Sequence, residues 1–207
     1  MKKICLLLSV VLILGITSCG NSSVKIDENL SKEEARAVVK TEKSLPRGSQ
    51  IIDYQVVKTH LPLALLDTEY KNLRDQVFKA RIDYRANVAR GLKDYAQRNL
   101  ETLKGIQSQI VYKDSSLTSG SPLYMFVLAN VKEPTRKDGK DSGYIAIFDQ
   151  ETLDMVDLIQ VTQPLYNNAV MVTEALNGTL ANPDPTPVEK LKFSNPVVEF
   201  ILNSNPK

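Results

Sequence analysis

The chain is poor in the side chains from which acid–base and metal chemistry is usually built. Its 207 residues hold no tryptophan, one histidine (His60) and two cysteines (Cys5 and Cys19). So small a set cannot assemble the cysteine- and histidine-rich ligand shells of zinc sites. Neither a G-x-S-x-G nucleophile elbow nor a phosphate-cradling glycine loop occurs. No metal and no cofactor is therefore expected, no catalytic residue is assigned, and a non-enzymatic role is the first expectation. A long apolar run is also missing. The longest, Ile4 to Ile16, is interrupted by Ser9 and Gly15 and falls short of the about 20 apolar residues that a spanning helix needs.

What that short run does have is context. Met1, Lys2 and Lys3 form a positive start, the apolar stretch follows, and Thr17, Ser18, Cys19 and Gly20 close it with small residues. This is the layout of a secretory signal. Ile16-Thr17-Ser18-Cys19 resembles the lipobox of bacterial lipoproteins. The resemblance implies cleavage before Cys19 and acylation of that cysteine, which becomes the new N-terminus and ties the protein to a membrane. Two or three acyl chains hold essentially permanently, because each buried methylene contributes about 0.8 kcal/mol. Gly20 is not the aspartate that resembles an inner-membrane retention signal in enteric lipoproteins, so the expected address is the outer membrane of a cell with two membranes.

Removal of residues 1–18 leaves 189 residues, enough for one domain with a sizeable core. It also takes away Lys2 and Lys3, so 24 basic residues then face 24 acidic ones. A balanced chain lacks the clustered positive charge of nucleic-acid binders, and no nucleic-acid partner is expected. Cys5 leaves with the signal and Cys19 is consumed by lipid, so the folded part carries no disulfide.

Residues 19–30 are polar and aperiodic, and are expected to form a lipidated flexible tether. Residues 31–180 are expected to make a single α+β domain. Ser31-Lys32-Glu33-Glu34 has the spacing of a capping box, which predicts a short helix over about 32–42, ended by Pro46 and Gly48. Alternation from Gln50 to Lys58 predicts a half-buried strand. From Leu63 to Ile106 apolar residues recur every three or four positions, the period of one long amphipathic helix or of two joined near Gly91. Its other faces mix nine basic and six acidic residues, which suits a solvated surface, and Asp67–Lys71, Asp75–Lys79 and Asp94–Arg98 have ion-pair spacing.

The period then changes to two. Ile110–Lys113, Leu123–Val131, Tyr144–Phe148 and Met155–Val161 are expected as four strands joined by short turns, including Asp138-Gly139-Lys140-Asp141. Short turns favour antiparallel neighbours. The expected architecture is a long amphipathic helix packed on a four-stranded antiparallel meander, in two layers, with short flanking helices. This order of elements is similar to cystatin-like and NTF2-like folds. Residues 167–176 are expected as a further helix stopped at Asn177-Gly178. Residues 181–207 begin with alternate prolines, Pro183, Pro185 and Pro187, a stiff extended linker. An apolar segment from Pro196 to Leu202 follows, which either docks on the domain or waits for a partner.

Few residues suggest a site. Asp149, Glu151, Asp154 and Asp157 gather near one hairpin but lack the spacing of a calcium loop. His60, standing alone, is expected to be structural. Tyr70, Phe78, Tyr84 and Tyr95 either line a ligand pocket between helix and sheet or fill the core there. The functional expectation is a membrane-anchored lipoprotein acting as a binding or interaction module of the cell envelope, with an envelope protein as a possible partner. The second expectation is an NTF2-like small-ligand-binding or hydrolytic domain.

Overall fold

Residues 24–120 and 122–207 are described by the computed structural model of the chain, and the side chains of residues 67–71 and 120 fall outside that description. Four strands form one antiparallel sheet in the order β1-β2-β3-β4: β1 Gln50–His60, β2 Leu123–Lys132, β3 Ser142–Asp149 and β4 Met155–Gln160. Among the described residues five helices surround it: α1 Lys32–Ser44, α2 Asp67–Ala89, α3 Lys93–Gly120, α4 Gln163–Leu176 and α5 Pro196–Asn203. The fold is α+β, with the long helix α3 packed against the meander.

The helices lie on both faces of the sheet, so the expected two layers become three. On one face Phe126, Leu128, Ile145 and Ile147 meet Leu73 and Val77 of α2, Leu103, Ile106 and Ile110 of α3, Val172 of α4 and Ile201 of α5. On the other, Met125, Val127, Ala146 and Phe148 meet Ala37 and Val38 of α1. Burial on both faces explains why β2 and β3 are almost continuously apolar where a half-exposed strand would alternate. Each large aliphatic or aromatic side chain enclosed here contributes roughly 1.5–3 kcal/mol.

The capping box forms as expected. Ser31 Oγ accepts from the Glu34 N–H, and the Glu34 carboxylate accepts from the Ser31 N–H. The 63–106 period resolves into two antiparallel helices, and Gly91 between them takes φ +74°, a conformation that a side chain resists. One expected strand is corrected. Ile110–Lys113 lies inside α3, because Leu103, Ile106 and Ile110 share one buried stripe at helical spacing. The Ser/Thr run that reads as a loop is helical, and its hydroxyls are satisfied by bonding back along the helix. Ser115, Ser116, Thr118 and Ser119 each donate to a carbonyl three or four residues earlier. The fourth strand is instead β1, whose partner β2 follows only after the whole α2–α3 hairpin.

Both chain ends of the described body are built in. Val24, Ile26 and Leu30 pack against the α1 side of the core, and the Val24 N–H donates to a Glu42 carboxylate oxygen at 2.9 Å. The segment expected as a flexible tether is therefore part of the body from Val24 onward. At the other end α5 is docked, with Val197, Ile201 and Leu202 buried. Gly143 on β3 makes room for it, since a Cβ there would lie 2.6 Å from Ser204 Oγ and 2.9 Å from Val161 Cγ2. α4 begins at Gln163, earlier than expected, with Thr162 Oγ1 capping the Leu165 N–H and Pro164 in the first turn.

Candidate functional site

A partly enclosed cavity of about 340 Å³ lies where the end of β1, the last turns of α3, the end of α4 and the segment before α5 converge. Each wall has a local cause. β1 ends at His60, and Pro62 two residues later has no N–H to continue a ladder and starts a 3-10 turn over Leu63–Leu65. The continuation of α3 past Ile110 brings Asp114 and Thr118 to the cavity one turn apart. From α4 come Val172, Thr173 and Leu176.

The segment before α5 is held shut against these elements by amide side chains. Asn177 Nδ2 donates to the Lys192 carbonyl and the Lys192 N–H donates to Asn177 Oδ1, both at 2.9 Å. Asn195 caps α5 through Val197 N–H and donates from Nδ2 to Thr59 Oγ1 at 3.4 Å and to the His60 carbonyl at 3.5 Å. The cavity is therefore closed on that side by specific hydrogen bonds.

The lining is aliphatic at Leu61, Leu63, Val172, Leu176 and Val198 and polar at Thr59, His60, Asp114, Thr118, Thr173, Lys192, Ser194 and Asn195. Asp114 is half-buried, and among the described residues its carboxylate has no hydrogen-bond or ion-pair partner, although its main-chain carbonyl accepts from Thr118 Oγ1. Burial pushes its pKa above the usual carboxylate value. The cavity thus combines aliphatic side chains with polar ones, among them a partly desolvated carboxylate without a partner among the described residues.

A second, more open concavity of about 420 Å³ lies between α2 and α4, with Phe78 and Ile82 on its rim. Its charges are already used. Arg81 makes a two-pronged contact with Glu174 at 3.0 and 3.1 Å and also donates to the carbonyls of Leu180 and Asn182. Glu174 accepts in addition from the Thr186 N–H at 2.7 Å, which ties down the proline-rich stretch. Arg74 donates to the Pro164 carbonyl and Asn168 Oδ1, and Arg85 pairs with Asp184. Two further acidic centres are likewise structural. Buried Glu133 accepts from Tyr144 Oη, Gln160 Nε2 and Lys207 Nζ. Asp149 Oδ1 accepts from the N–H groups of Glu151 and Thr152, closing the β3–β4 turn.

The residues singled out in the sequence fare unevenly. Cys19 lies outside the described residues, as does the side chain of Tyr70. Phe78 is 69% exposed on α2 and Tyr95 57% exposed on α3, while Tyr84 is half-buried. Phe78 and Tyr95 therefore neither line a pocket between helix and sheet nor fill the core there: an amphipathic period marks one inward stripe, and both stand off it. Arg98 lies over the Tyr95 ring, 5.4 Å from its centre, and makes no ion pair with Asp94. Asp149, Glu151, Asp154 and Asp157 do not converge, and among the described residues no group of three His, Cys, Asp or Glu side chains is placed to hold a metal ion. Asp138 does form its turn, with Gly139 at φ +70° and the Arg136 guanidinium holding its carboxyl down at about 2. Asp114 had a signal that sequence reading missed. It continues the stripe Leu103, Ile106, Ile110 by one more turn, an acid on the buried side of a helix, hidden because that stretch reads as strand and loop. Comparison with known protein families, with characterised proteins and with solved structures gives no match.

Proposed function

We propose that the chain is a lipid-anchored protein of a bacterial cell envelope whose α+β domain is a non-enzymatic binding module, with the cavity at the β1–α3–α4 junction as its binding site. The anchor is supported by the lipobox-like Ile16-Thr17-Ser18-Cys19. The packed body begins at Val24, so five residues after the acylated cysteine span at most about 17 Å. The domain then works within reach of the lipid head groups and cannot range across the envelope.

The binding role rests on one observation: the cavity holds an acidic side chain that the fold itself does not satisfy. A purely structural acid of this protein, such as Glu174 or Glu133, is saturated with donors. The tests are separable. Cys19→Ala abolishes lipid labelling and releases the protein into the soluble fraction, and unchanged membrane association removes the anchor. Leu176→Trp fills the cavity mouth, and loss of small-molecule-induced thermal stabilisation in that variant supports the site.

A second reading, a hydrolytic domain, is favoured by His60 and Asp114 lining the same cavity. It requires turnover that His60→Gln and Asp114→Asn both abolish, whereas a binding module needs no turnover at all.

A further inference from the structure

We propose that the cavity takes a small molecule bearing a single protonated amine on a short aliphatic body, with Asp114 as the counter-ion. The inference rests on the cavity being the binding site and adds the chemical class of its ligand. Three features of the walls carry it.

The first is the unmet carboxylate. Among the described residues no donor reaches the Asp114 side chain, so the free protein carries a partly desolvated anion that a cationic donor relieves. An ammonium supplies three N–H donors, and the hydroxyls of Thr59, Thr118 and Ser194 on the same walls can take those that Asp114 leaves over. A neutral alcohol offers one donor and no charge. An anion would meet the Asp114 carboxylate with like charge, offset only by the exposed Lys192.

The second feature is the aliphatic part of the lining. Leu61, Leu63, Val172, Leu176 and Val198 present only aliphatic carbon, which rewards a hydrocarbon body. The space of about 340 Å³ matches about ten liquid waters, and so a ligand of about ten non-hydrogen atoms or fewer. The third feature is Lys192, which lines the same cavity from the segment before α5. Its ammonium opposes a second positive group on the ligand, so a diamine is disfavoured relative to a monoamine.

The test uses the full chain in detergent micelles, with methyl-group NMR at Val172, Leu176 and Val198 and three probes: hexylamine, hexan-1-ol and 1,6-diaminohexane. The expected result is saturable shifts with hexylamine, binding about tenfold or more weaker with the alcohol because one charge-assisted contact is missing, and weaker binding of the diamine. In Asp114→Asn, hexylamine and hexan-1-ol are expected to bind alike while the melting temperature holds. Equal binding of amine and alcohol by the native chain, or undiminished amine binding by Asp114→Asn, overturns the inference and leaves the cavity as a site for some other class. No localised shift with any probe overturns both the ligand class and the binding site.

Discussion

The two concavities of the helical layer differ in how they treat buried charge. Between α2 and α4, every charged group has its complement: Glu174 takes two donors from Arg81 and one from the Thr186 N–H, and Arg81 spends its remaining donors on two carbonyls. At the β1–α3–α4 junction Asp114 has none among the described residues. Both acids sit on helices, and both are withdrawn from water to some degree. Burying a charge is costly unless it is paired, so Glu174 is held by partners that the fold supplies, whereas the half-buried Asp114 keeps its carboxylate open to water or to a ligand.

The comparison can be broken most decisively at Arg81. Arg81→Met strands Glu174 in the interior and is expected to cost about 3–5 kcal/mol in urea denaturation, whereas adding Glu174→Leu to it should recover most of the loss. A double variant as unstable as the single one would mean that Glu174 is held for other reasons.

Glu133 offers the next test. Burial alone would raise its pKa, but hydrogen bonds from Lys207, Ser142 and Tyr144 outweigh that and hold it below the usual value. A carboxyl depressed in the folded state adds stability that is fully present above its unfolded pKa of about 4.5 and is lost as pH falls through the folded value. Glu133→Gln is therefore expected to cost about 1–3 kcal/mol near neutrality. It should also flatten the acid limb of the stability curve, read by thermal melts between pH 6 and pH 3; an unchanged limb would remove Glu133 from the account.

A surface cap lies lower on the scale. Ser31→Ala removes one half of the α1 capping box and should cost about 1 kcal/mol, measurable as a shifted denaturation midpoint with unchanged slope.

The smallest effect belongs to Asp114. Its pKa is raised by burial, so its charged form is disfavoured in the folded state and weakens the fold above the unfolded pKa, a penalty that vanishes as pH falls. Asp114→Asn should leave stability within about 0.5 kcal/mol of the native chain or slightly above it, while removing the preference for the amine over the alcohol. A large loss of stability would move Asp114 into the class of Glu174.

All four strands were legible in the sequence as strands, though not that β1 joins the meander in place of Ile110–Lys113, and the helices were legible at their caps and breaks. Ser31 through Glu34 announce α1, and Gly91 marks the break between α2 and α3, because caps and breakers act on neighbouring residues. The error at Ile110–Lys113 has the same origin. Three adjacent apolar residues fit either period, and Ser115 to Ser119 resemble a loop until their hydroxyls are seen bonding back to helical carbonyls. The site was legible only in part: His60 is conspicuous as the one histidine, but Asp114 carries no motif, and its position depends on α3 continuing for ten residues beyond Ile110.

By itself the sequence determined the caps, the turns and most of the amphipathic periods, since these are set by residues a few positions apart. Tertiary structure alone decided which strand fills the fourth place in the sheet, whether the C-terminal segment docks, and which acid goes unpaired. Those outcomes depend on groups separated by tens of residues. Asp114 on α3 shares its cavity with β1, α4 and the segment before α5, and only their convergence partly withdraws its carboxylate from water without giving it a partner among the described residues.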